Sequence, residues 1–390
     1  MPQIAGFRGI LWDTSKVELA KLATQPITEP RQRLESGELV RDPTRAVYRY
    51  HQAFAAGTRT LVRKSWFAAI ALSPWSEGTV RPHEATDAKA RDKAIAGVTA
   101  AGIHTDAVLA GYRDAAGEVD RLFKKSEGER PLVEVTTADG TNHKLWRVQS
   151  AEVIGKLRPL FAPKKLHVLD GHARYEGMLA YRDQLAAKTP LATYSSANYG
   201  LACLVNLDDP ALAAGARHRV VRGSGGTAKR DDVLAKAKSY FIVEKLAGAA
   251  KDLGKQFAAL ADTVAHQPAF VAVFPGDADA YKLTLSPEIS PIHEGVAVHR
   301  TIQKYDPVVV DALFLAKVAP AAQIETTIDP NAAIALGEGV EMGVVCKPLS
   351  IDQITRVDEV GELLPFGSTA IHPPIARLVS FAIDPDEDLI

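Results

Sequence analysis

The sequence predicts an α+β protein, in which helices and strands are mixed and several strands pair as hairpins. The strongest signal is an Asp-Gly turn between two short alternating segments, at 132–137 and 143–148. A second pair of apolar or alternating segments, at 46–54 and 61–72, is separated by a Gly-Thr turn. Helical patterns do not alternate strictly with strands, so we do not expect a doubly wound parallel sheet.

The other elements follow from the spacing of apolar residues and from the residues that bound each segment. A short apolar run that stops at a turn signal predicts a buried strand, and an amphipathic run between a capping residue and a glycine predicts a helix. In the first half these are a strand at 7–11, a short helix at 29–39, a helix that Thr86 caps and Gly102 ends, a strand at 108–112, a charged helix at 114–125, a helix at 151–161, a strand at 166–169 and a helix that follows Gly171 and ends near Leu185.

The second half continues the mixed pattern. Ser350 and Gln353 have the spacing of a capping box, so a helix is predicted to begin at Ser350 and to end at Gly361. The preceding elements are strands at 199–207 and 216–221, a helix at 233–240, strands at 269–274 and 281–286, a helix at 308–317 and a strand at 342–348.

A glycine-rich stretch at 223–226 is the candidate domain boundary. It separates an N-terminal region, 1–222, from an α+β C-terminal region, 227–390. The stretch is predicted to be a linker because no Gly-Lys-Ser/Thr sequence follows it, as a phosphate-binding loop would require.

Composition excludes several classes of protein. The 390 residues carry a formal net charge of −1, so no basic excess indicates a nucleic-acid partner. Cys203 and Cys346 each lie in an apolar run and are predicted to be reduced core thiols. No run of 18 apolar residues and no signal-peptide pattern is found, so we expect a cytoplasmic protein without a membrane partner.

The most informative segment runs from a predicted strand through Asp170 and Gly171 into a helix. A tight turn from a strand into a helix directs backbone N–H groups, and the positive end of the helix dipole, at one spot, which favours an anion. Arg174 in the first turn can add a bidentate contact to a phosphate. Asp170, at the end of the strand, can hold a metal ion or a substrate hydroxyl. The alternative is that Asp170 only caps the helix.

Three further clusters can carry chemistry. His83-Glu84 lies in a loop before a helix, where Glu84 can act as a general base; alternatively, Glu84 is a surface residue. His218-Arg219 begins an apolar strand and is otherwise a charged strand edge. Ser368-Thr369 can bind a phosphate or a small polar ligand through its hydroxyls, or these hydroxyls only cap a loop. The sequence contains no Walker loop, no Gly-x-Ser-x-Gly elbow and no Gly-x-Gly-x-x-Gly motif.

Taken together, these motifs resemble a bacterial and archaeal domain family of unknown function, and the free L-serine kinases of the SerK and SbnI type carry related motifs. A Pro-His-Glu element, an Asp-Gly-His-His-Arg element and a C-terminal Lys-Ser/Thr-Thr element occur there in the same order as the matching segments of this chain. The resemblance implies a ParB/sulfiredoxin-like nucleotide-binding core with an additional α+β region. It also implies that Glu84, Asp170 and His172 are catalytic, that Asp170 binds Mg²⁺, that Gly171, His172, Ala173, Arg174, Ser368 and Thr369 bind the nucleotide, and that His83, Thr86, His218 and Arg219 bind the substrate.

The chain departs from the family pattern in three places. Ala173 replaces the second histidine of a His-His pair, and Gly367 replaces a lysine before Ser-Thr. A Pro-Pro-Tyr-Asp segment of the larger members is absent between Leu22 and Arg41. The loss of a lysine removes a positive charge that can bind phosphate.

The expected function is therefore a kinase that transfers a phosphoryl group from ATP or ADP to free L-serine or a similar metabolite, with Mg²⁺ as cofactor. The alternative is a catalytically inactive protein of the same fold that binds a nucleotide or another ligand as a regulator. DNA binding, a third hypothesis, receives no support from the net charge.

Overall fold

The computed structural model describes residues 3–223, 229–263, 267–321 and 323–390. Its strands, in chain order, are β1 (Ile4–Ala5), β2 (Gly9–Trp12), β3 (Leu39–Arg41), β4 (Val47–Ala56), β5 (Arg59–Ala71), β6 (Val80–Arg81), β7 (Ile103–His104), β8 (Val108–Tyr112), β9 (Val133–Thr136), β10 (Asn142–Val148), β11 (Leu166–Asp170), β12 (Tyr199–Asn206), β13 (Ala214–Ala216), β14 (His218–Arg222), β15 (Phe241–Leu246), β16 (Ala269–Val273), β17 (Ala280–Leu285), β18 (Gln323–Thr327), β19 (Val340–Cys346), β20 (Thr369–Ile371) and β21 (Val379–Ala382).

The helices, in chain order, are α1 (Leu19–Leu22), α2 (Pro30–Glu35), α3 (Ala88–Ala101), α4 (Glu118–Glu127), α5 (Ala151–Phe161), α6 (His172–Ala186), α7 (Arg230–Ala237), α8 (Leu253–Ala261), α9 (Asp306–Val308), α10 (Pro330–Ile334) and α11 (Ile351–Glu359). A π-helix, Val309–Val318, follows α9 directly. In the ranges given above, no helix combines the length and the apolar character that crossing a membrane requires.

The chain divides into two compact units. Unit 1 contains Met1–Pro82, Thr86–Ala213 and Pro373–Ile390, and unit 2 contains His83–Ala85 and Ala214–His372. Most of the predicted linker, residues 224–226, lies outside the described residues. The units divide before that stretch, and each is assembled from segments far apart in sequence.

Unit 1 is built on a sheet whose nine strands, as far as the chain is described, have the order β6-β11-β8-β12-β5-β4-β10-β9, with β1 paired to β5. Two neighbouring pairs, β6 with β11 and β8 with β12, are parallel, and the others are antiparallel. The hairpins predicted at β4–β5 and β9–β10 are both confirmed. A second sheet has the order β3-β2-β21-β7.

Aromatic side chains fill the core of unit 1. Phe123 of α4 and Phe161 of α5 lie 5.4 and 5.3 Å from the buried Trp66 ring of β5, measured between ring centroids. Such tilted and edge contacts stabilise aromatic pairs beyond the area that they bury. The apolar stripes of both helices therefore face this sheet. On other elements of the unit, α6 packs against α3.

Unit 2 contains a six-stranded antiparallel sheet with the order β15-β17-β16-β19-β14-β18, and a separate pair formed by β13 and β20. All five residues of β16 are buried. The strand predicted at 216–221 is thus two strands in different sheets, and Arg217 is the residue between them.

The mixture of helices and multi-strand sheets confirms the coarse prediction, and Cys203 and Cys346 are buried free thiols as expected. Ser350 and Gln353 form the predicted capping box at the start of α11. The helix expected at 308–317 is present, as a π-helix. One prediction is wrong in detail, because the cap of α3 is Asp87, which accepts from the Ala90 N–H, instead of Thr86.

Candidate functional site

The His83-Glu84 segment is fixed by backbone pairing within unit 2. Glu84 forms a parallel bridge with Leu364. On either side of it, the Leu364 N–H donates to the His83 carbonyl and the Ala85 N–H donates to the Leu364 carbonyl, both at 2.9 Å. The loop predicted from sequence is therefore a short, ordered, strand-like stretch, and the direction of the Glu84 side chain is set by it.

Three hydrogen bonds converge on one oxygen of Glu84. Its Oε2 accepts from the Ser368 N–H at 3.1 Å, from the Thr369 N–H at 3.2 Å and from the Thr369 hydroxyl at 3.3 Å. The residue is only 8% exposed. Hydrogen bonds to an ionised acceptor are stronger than neutral ones, so this carboxylate is held in one orientation.

His83 extends this arrangement. Its Nε2 lies 2.7 Å from the Thr369 hydroxyl oxygen and 3.8 Å from Glu84 Oε2. If Glu84 is ionised, its carboxylate can only accept, so the single hydroxyl proton of Thr369 goes to Glu84 and His83 Nε2 donates to Thr369. The three side chains form one directed chain of hydrogen bonds, from His83 through Thr369 to Glu84.

The turn that presents Ser368 and Thr369 depends on glycine. Gly367 has a φ of +70°, and a Cβ there would lie 2.9 Å from the side chain of Thr326. The Ser368 hydroxyl donates to the Pro365 carbonyl at 2.5 Å, and Arg219 Nη1 donates to the Gly367 carbonyl at 3.0 Å. A lysine at this position, as in the family pattern, would be strained both by the backbone conformation and by contact.

Arg219 is a structural anchor of the same turn. Its Nε and Nη2 donate to the two carboxylate oxygens of Asp311, each at 2.8 Å, and the side chain is buried. Although burial alone would lower the pKa of Arg219, the Asp311 carboxylate raises it above its ordinary value. The bidentate pair fixes the guanidinium plane against the turn.

His218, the neighbour of Arg219, is buried as well. Its Nδ1 accepts from the Cys346 N–H at 3.1 Å. Burial, together with the neighbouring Arg219, lowers the pKa of His218 to about 4, so the ring is neutral near pH 7. The substrate-binding roles implied for His218 and Arg219 remain predictions. In the structure, each contacts the backbone of another segment.

The second group of predicted residues lies in unit 1, where β11 turns into α6. Gly171 is the cap of this helix, at φ +96°, and no side chain of the cap accepts from the first turn. Asp170 is therefore not the cap, which contradicts the alternative stated above. No acidic side chain lies in the first turn of the 15-residue helix. The N-terminus thus keeps its positive field, a condition for binding an anion.

Arg174 packs beneath this turn. Its Nη2 donates to Asp170 Oδ2 at 2.7 Å, and its Nη1 lies 3.5 Å from Asp106, which also accepts from Arg377 at 2.8 Å. Burial acts to lower the pKa of Arg174, but Asp106 and Asp170 raise it above its ordinary value. A Cβ on Gly171 would lie 2.7 to 2.9 Å from the guanidinium. The arginine therefore supports the turn, and an anion that used it would have to share it with Asp170.

The other implied residues of unit 1 lie around α6. His172, the first helical residue, is buried, and Ala173 follows it. The Thr86 hydroxyl donates to Glu176 Oε1 at 2.8 Å, so it binds a residue of α6 and does not cap α3. Among the residues described, no group of three histidine, cysteine or acidic side chains is close enough to hold a metal ion.

The structure brings together His83, Glu84, Ser368 and Thr369 in unit 2, and Asp170 to Arg174 in unit 1. The anchoring role of Asp311 was not anticipated. The sequence contains one signal for this role, a single carboxylate in an apolar segment, because a buried carboxylate requires a buried partner. Asp106 gave no signal in the sequence, because its pairing with Arg174 and Arg377 depends on the tertiary fold.

Comparisons with known proteins give a family and a set of similar structures. Residues 6–316 match a family described as "Protein of unknown function (DUF1015)". A conserved hypothetical protein from Pyrococcus furiosus has 13% identity and a TM-score of 0.37, and the match covers 84% of this chain and 97% of that chain. A free serine kinase in complex with AMP has 14% identity and a TM-score of 0.38, covering 84% and 93%.

SbnI with a C-terminal truncation, from Staphylococcus aureus, has 14% identity and a TM-score of 0.36, and the match covers 81% of this chain and 90% of that chain. Identities and TM-scores this low do not assign an activity to the chain. A comparison with the curated proteins finds no match.

Proposed function

The chain belongs to the DUF1015 family, and we propose that it is a small-molecule kinase that transfers a phosphoryl group from ATP or ADP to the hydroxyl of free L-serine or a similar metabolite. The observation that carries this proposal is the Glu84 carboxylate, which is buried and held in one orientation by Ser368 and Thr369. Phosphoryl transfer requires a residue of this kind beside the acceptor hydroxyl, together with a cradle for phosphate.

On the acceptor side, Glu84 takes the hydroxyl proton as the acceptor oxygen attacks the terminal phosphorus of the nucleotide. The bond between that phosphorus and the bridging oxygen breaks, and ADP or AMP leaves. His83 and Thr369 position Glu84 through the directed chain of hydrogen bonds described above. Ser368 supports Glu84 through its backbone N–H.

On the donor side, the N-terminus of α6 holds the phosphates. The glycine cap, the absence of acidic residues in the first turn and the guanidinium of Arg174 beneath it support this assignment. We expect the backbone of Gly171, His172 and Ala173 to face the phosphate oxygens. The proposed core around this turn is ParB/sulfiredoxin-like, as the motif resemblance implies.

Asp170 is the proposed Mg²⁺ ligand. Its side chain is 45% exposed at the end of β11. Because Mg²⁺ on a nucleotide is commonly held by one or two carboxylates together with phosphates and water, a single aspartate is a sufficient protein contribution. The ion would neutralise charge on the phosphates. Asp170 would exchange part of its contact with Arg174 for this role.

A second candidate function is a ligand sensor that binds a nucleotide without turnover. Gly367 favours it, because the positive φ and the nearby Thr326 side chain disfavour the lysine of the family pattern. A protein that lacks this charge retains the α6 N-terminus for nucleotide binding but can have lost the stabilisation of the transferred group.

Phosphorus NMR tests the proposal. The purified protein is incubated with Mg²⁺, L-serine and either ATP or ADP, beside Glu84→Gln. The matched control is Glu152→Gln, which removes an exposed carboxylate that pairs with Lys156 on the surface of α5. We expect a new phosphomonoester signal from the wild type and the control and none from Glu84→Gln, whose amide oxygen can still accept from Ser368 and Thr369.

A nucleotide-dependent rise in melting temperature without a phosphomonoester signal, over a panel of hydroxylated acceptors, would favour the sensor. A protein that shows neither response with ATP or ADP is neither a kinase nor a nucleotide sensor. A signal retained at the wild-type rate in Glu84→Gln would exclude Glu84 as the base.

A further inference from the structure

Arg217 lies beside the group formed by His83, Glu84, Ser368 and Thr369, the Glu84 cluster. It is the residue between β13 and β14, it is partly exposed, and its Nε donates to the Thr369 carbonyl at 2.6 Å. Its two terminal nitrogens, Nη1 and Nη2, have no partner among the residues that the structure describes. The side chain is thus held at Nε, and Nη1 and Nη2 of its planar guanidinium are left as donors for a ligand.

The neighbouring cationic or basic side chains are already engaged. Arg219 donates to both oxygens of Asp311 and to the carbonyls of Arg217 and Gly367. His218 is neutral near pH 7 and accepts from a backbone N–H. Within the described part of this cluster, Arg217 is therefore the guanidinium that remains able to bind an incoming anion.

Thr369 places Arg217 on the same side as Glu84. Its N–H donates to Glu84 and its carbonyl accepts from Arg217. Thr369 is the first residue of β20 and pairs with Ala216 of antiparallel β13. In such a strand the N–H and the C=O of one residue point to the same side. The carboxylate and the guanidinium therefore approach one residue from a common direction.

We propose that Arg217 binds the anionic group of the phosphoryl acceptor, so that the acceptor is a hydroxylated metabolite with a carboxylate or a phosphate a few bonds from its reactive hydroxyl. This inference rests on the proposed function, in which Glu84 receives the hydroxyl proton. An arginine fork matches both anions through paired N–H donors. One end of the acceptor meets Arg217 while its hydroxyl meets Glu84, and Arg217 selects acidic acceptors over neutral ones.

Matched pairs of probes test this assignment by equilibrium calorimetry. L-serine is compared with L-serinamide, which lacks the carboxylate, and glycerol 3-phosphate with glycerol, which lacks the phosphate. ADP is the probe for the proposed nucleotide site at the N-terminus of α6. The proteins are the wild type, Arg217→Gln, Arg217→Lys and the control Arg222→Gln, which removes an arginine from the other end of β14 that binds Glu338 and Glu325.

We expect Arg217→Gln to weaken binding of L-serine, glycerol 3-phosphate or both by about 10- to 100-fold, the usual range for a lost charge-assisted hydrogen bond. The neutral analogues and ADP should bind as before, and the melting temperature should be unchanged. Arg217→Lys should retain part of the affinity, because an ammonium keeps the charge but lacks the fork. The charged probe that binds more weakly to Arg217→Gln shows whether the recognised anion is a carboxylate or a phosphate. If transfer is observed, KM for the acceptor rises while kcat is nearly retained.

Binding is measured without turnover, so weaker binding of a charged probe to Arg217→Gln supports the assignment of Arg217 even if no phosphoryl transfer is detected. An absence of transfer would reject the kinase proposal alone. The assignment of Arg217 is overturned by any of four results. These are unchanged binding in Arg217→Gln, an equal loss for charged and neutral probes, a loss confined to ADP, or a wild type that binds neither charged probe.

Discussion

At the scale of single residues, Thr369 has the densest set of contacts in the unit 2 cluster. Its hydroxyl links His83 to Glu84, its N–H supports Glu84, and its carbonyl binds Arg217. A buried hydroxyl that serves two partners restricts both of them, because it can donate to only one. The side chain and the backbone of Thr369 therefore contribute separately, and substitutions can distinguish them.

Thr369→Val removes the hydroxyl and keeps the shape and both backbone contacts. If Glu84 is the base, we expect kcat to fall by about tenfold or more, because the carboxylate loses one of its three donors and its link to His83. ADP affinity should not change. Steady-state kinetics and calorimetry measure the two effects, and Thr369→Ser should restore the rate. Equal kinetics in the valine and serine variants would contradict the role of the hydroxyl.

Gly367→Ala tests why glycine is required before Ser368. Gly367 combines a positive φ with a Cβ position 2.9 Å from Thr326, whereas Gly276 has a similar φ of +75° and no atom within 4 Å. Gly276→Ala therefore measures the conformational cost alone. We expect each alanine to lower the free energy of unfolding by about 1 kcal/mol or more, with the larger loss at Gly367. Urea unfolding measures both, and equal losses would exclude the steric contribution.

At the scale of elements, the N-terminus of α6 and that of α4 form a natural comparison. Both helices begin at a glycine in the left-handed region, Gly171 and Gly117. The first turn of α4 contains Glu118 and Asp120, while that of α6 contains no acidic residue. Negative side chains satisfy the N-terminal N–H groups and the dipole. Of these two helices, α6 is therefore the better candidate for binding an external anion.

Gly171→Ala is expected to weaken ATP or ADP binding by about tenfold, because its Cβ would displace the Arg174 guanidinium from the turn. Gly117→Ala is the matched control, since a Cβ there meets no atom within 4 Å. Both alanines must adopt a positive φ, so we expect both variants to lose stability for this reason. Isothermal titration calorimetry with ATP or ADP compares the nucleotide affinities of the two variants. Equal nucleotide affinities in the two variants would argue against the α6 cradle.

The elements that could be predicted from sequence are those fixed by local patterns. The β9–β10 hairpin follows from its Asp-Gly turn and α11 from its capping box, because the determining residues lie within a few positions of one another. Strand β21 was not predicted, since its four residues pair with β2 and β7, hundreds of positions away. The candidate site has the same limit. Its motifs can be recognised locally, but the contacts of Glu84 with Ser368 and Thr369 span more than 280 residues.

At the scale of the whole molecule, buried neutral histidines occur in both units. Burial lowers the pKa of His104 to about 3 and that of His143 to about 4 in unit 1. His218 in unit 2 is lowered to about 4 by burial and Arg219. Neither ring nitrogen of His104 has a hydrogen-bond partner within the described chain. An unfolded histidine titrates near 6.5, so the unfolded chain binds more protons than the folded one below that pH.

Stability should therefore be fully present above about pH 6.5 and decline as the pH falls toward the folded-state values of about 3 to 4. Urea midpoints between pH 7 and pH 4 measure this decline. His104→Leu should reduce the slope, because it removes one depressed group and two unpaired buried nitrogens. His293→Gln, at an exposed position, is the control for the replacement of a histidine. A midpoint independent of pH over this range would contradict the prediction.

A ribosome makes the chain from the N-terminus, so the residues that form the long-range contacts of Glu84 are synthesised at different times. The carboxylate emerges 284 residues before the backbone group of Ser368 that binds it. Until Ser368 and Thr369 are made, the nascent chain holds an acidic residue whose final environment does not yet exist. A product that terminates before Ser368 therefore contains the acid without its donors.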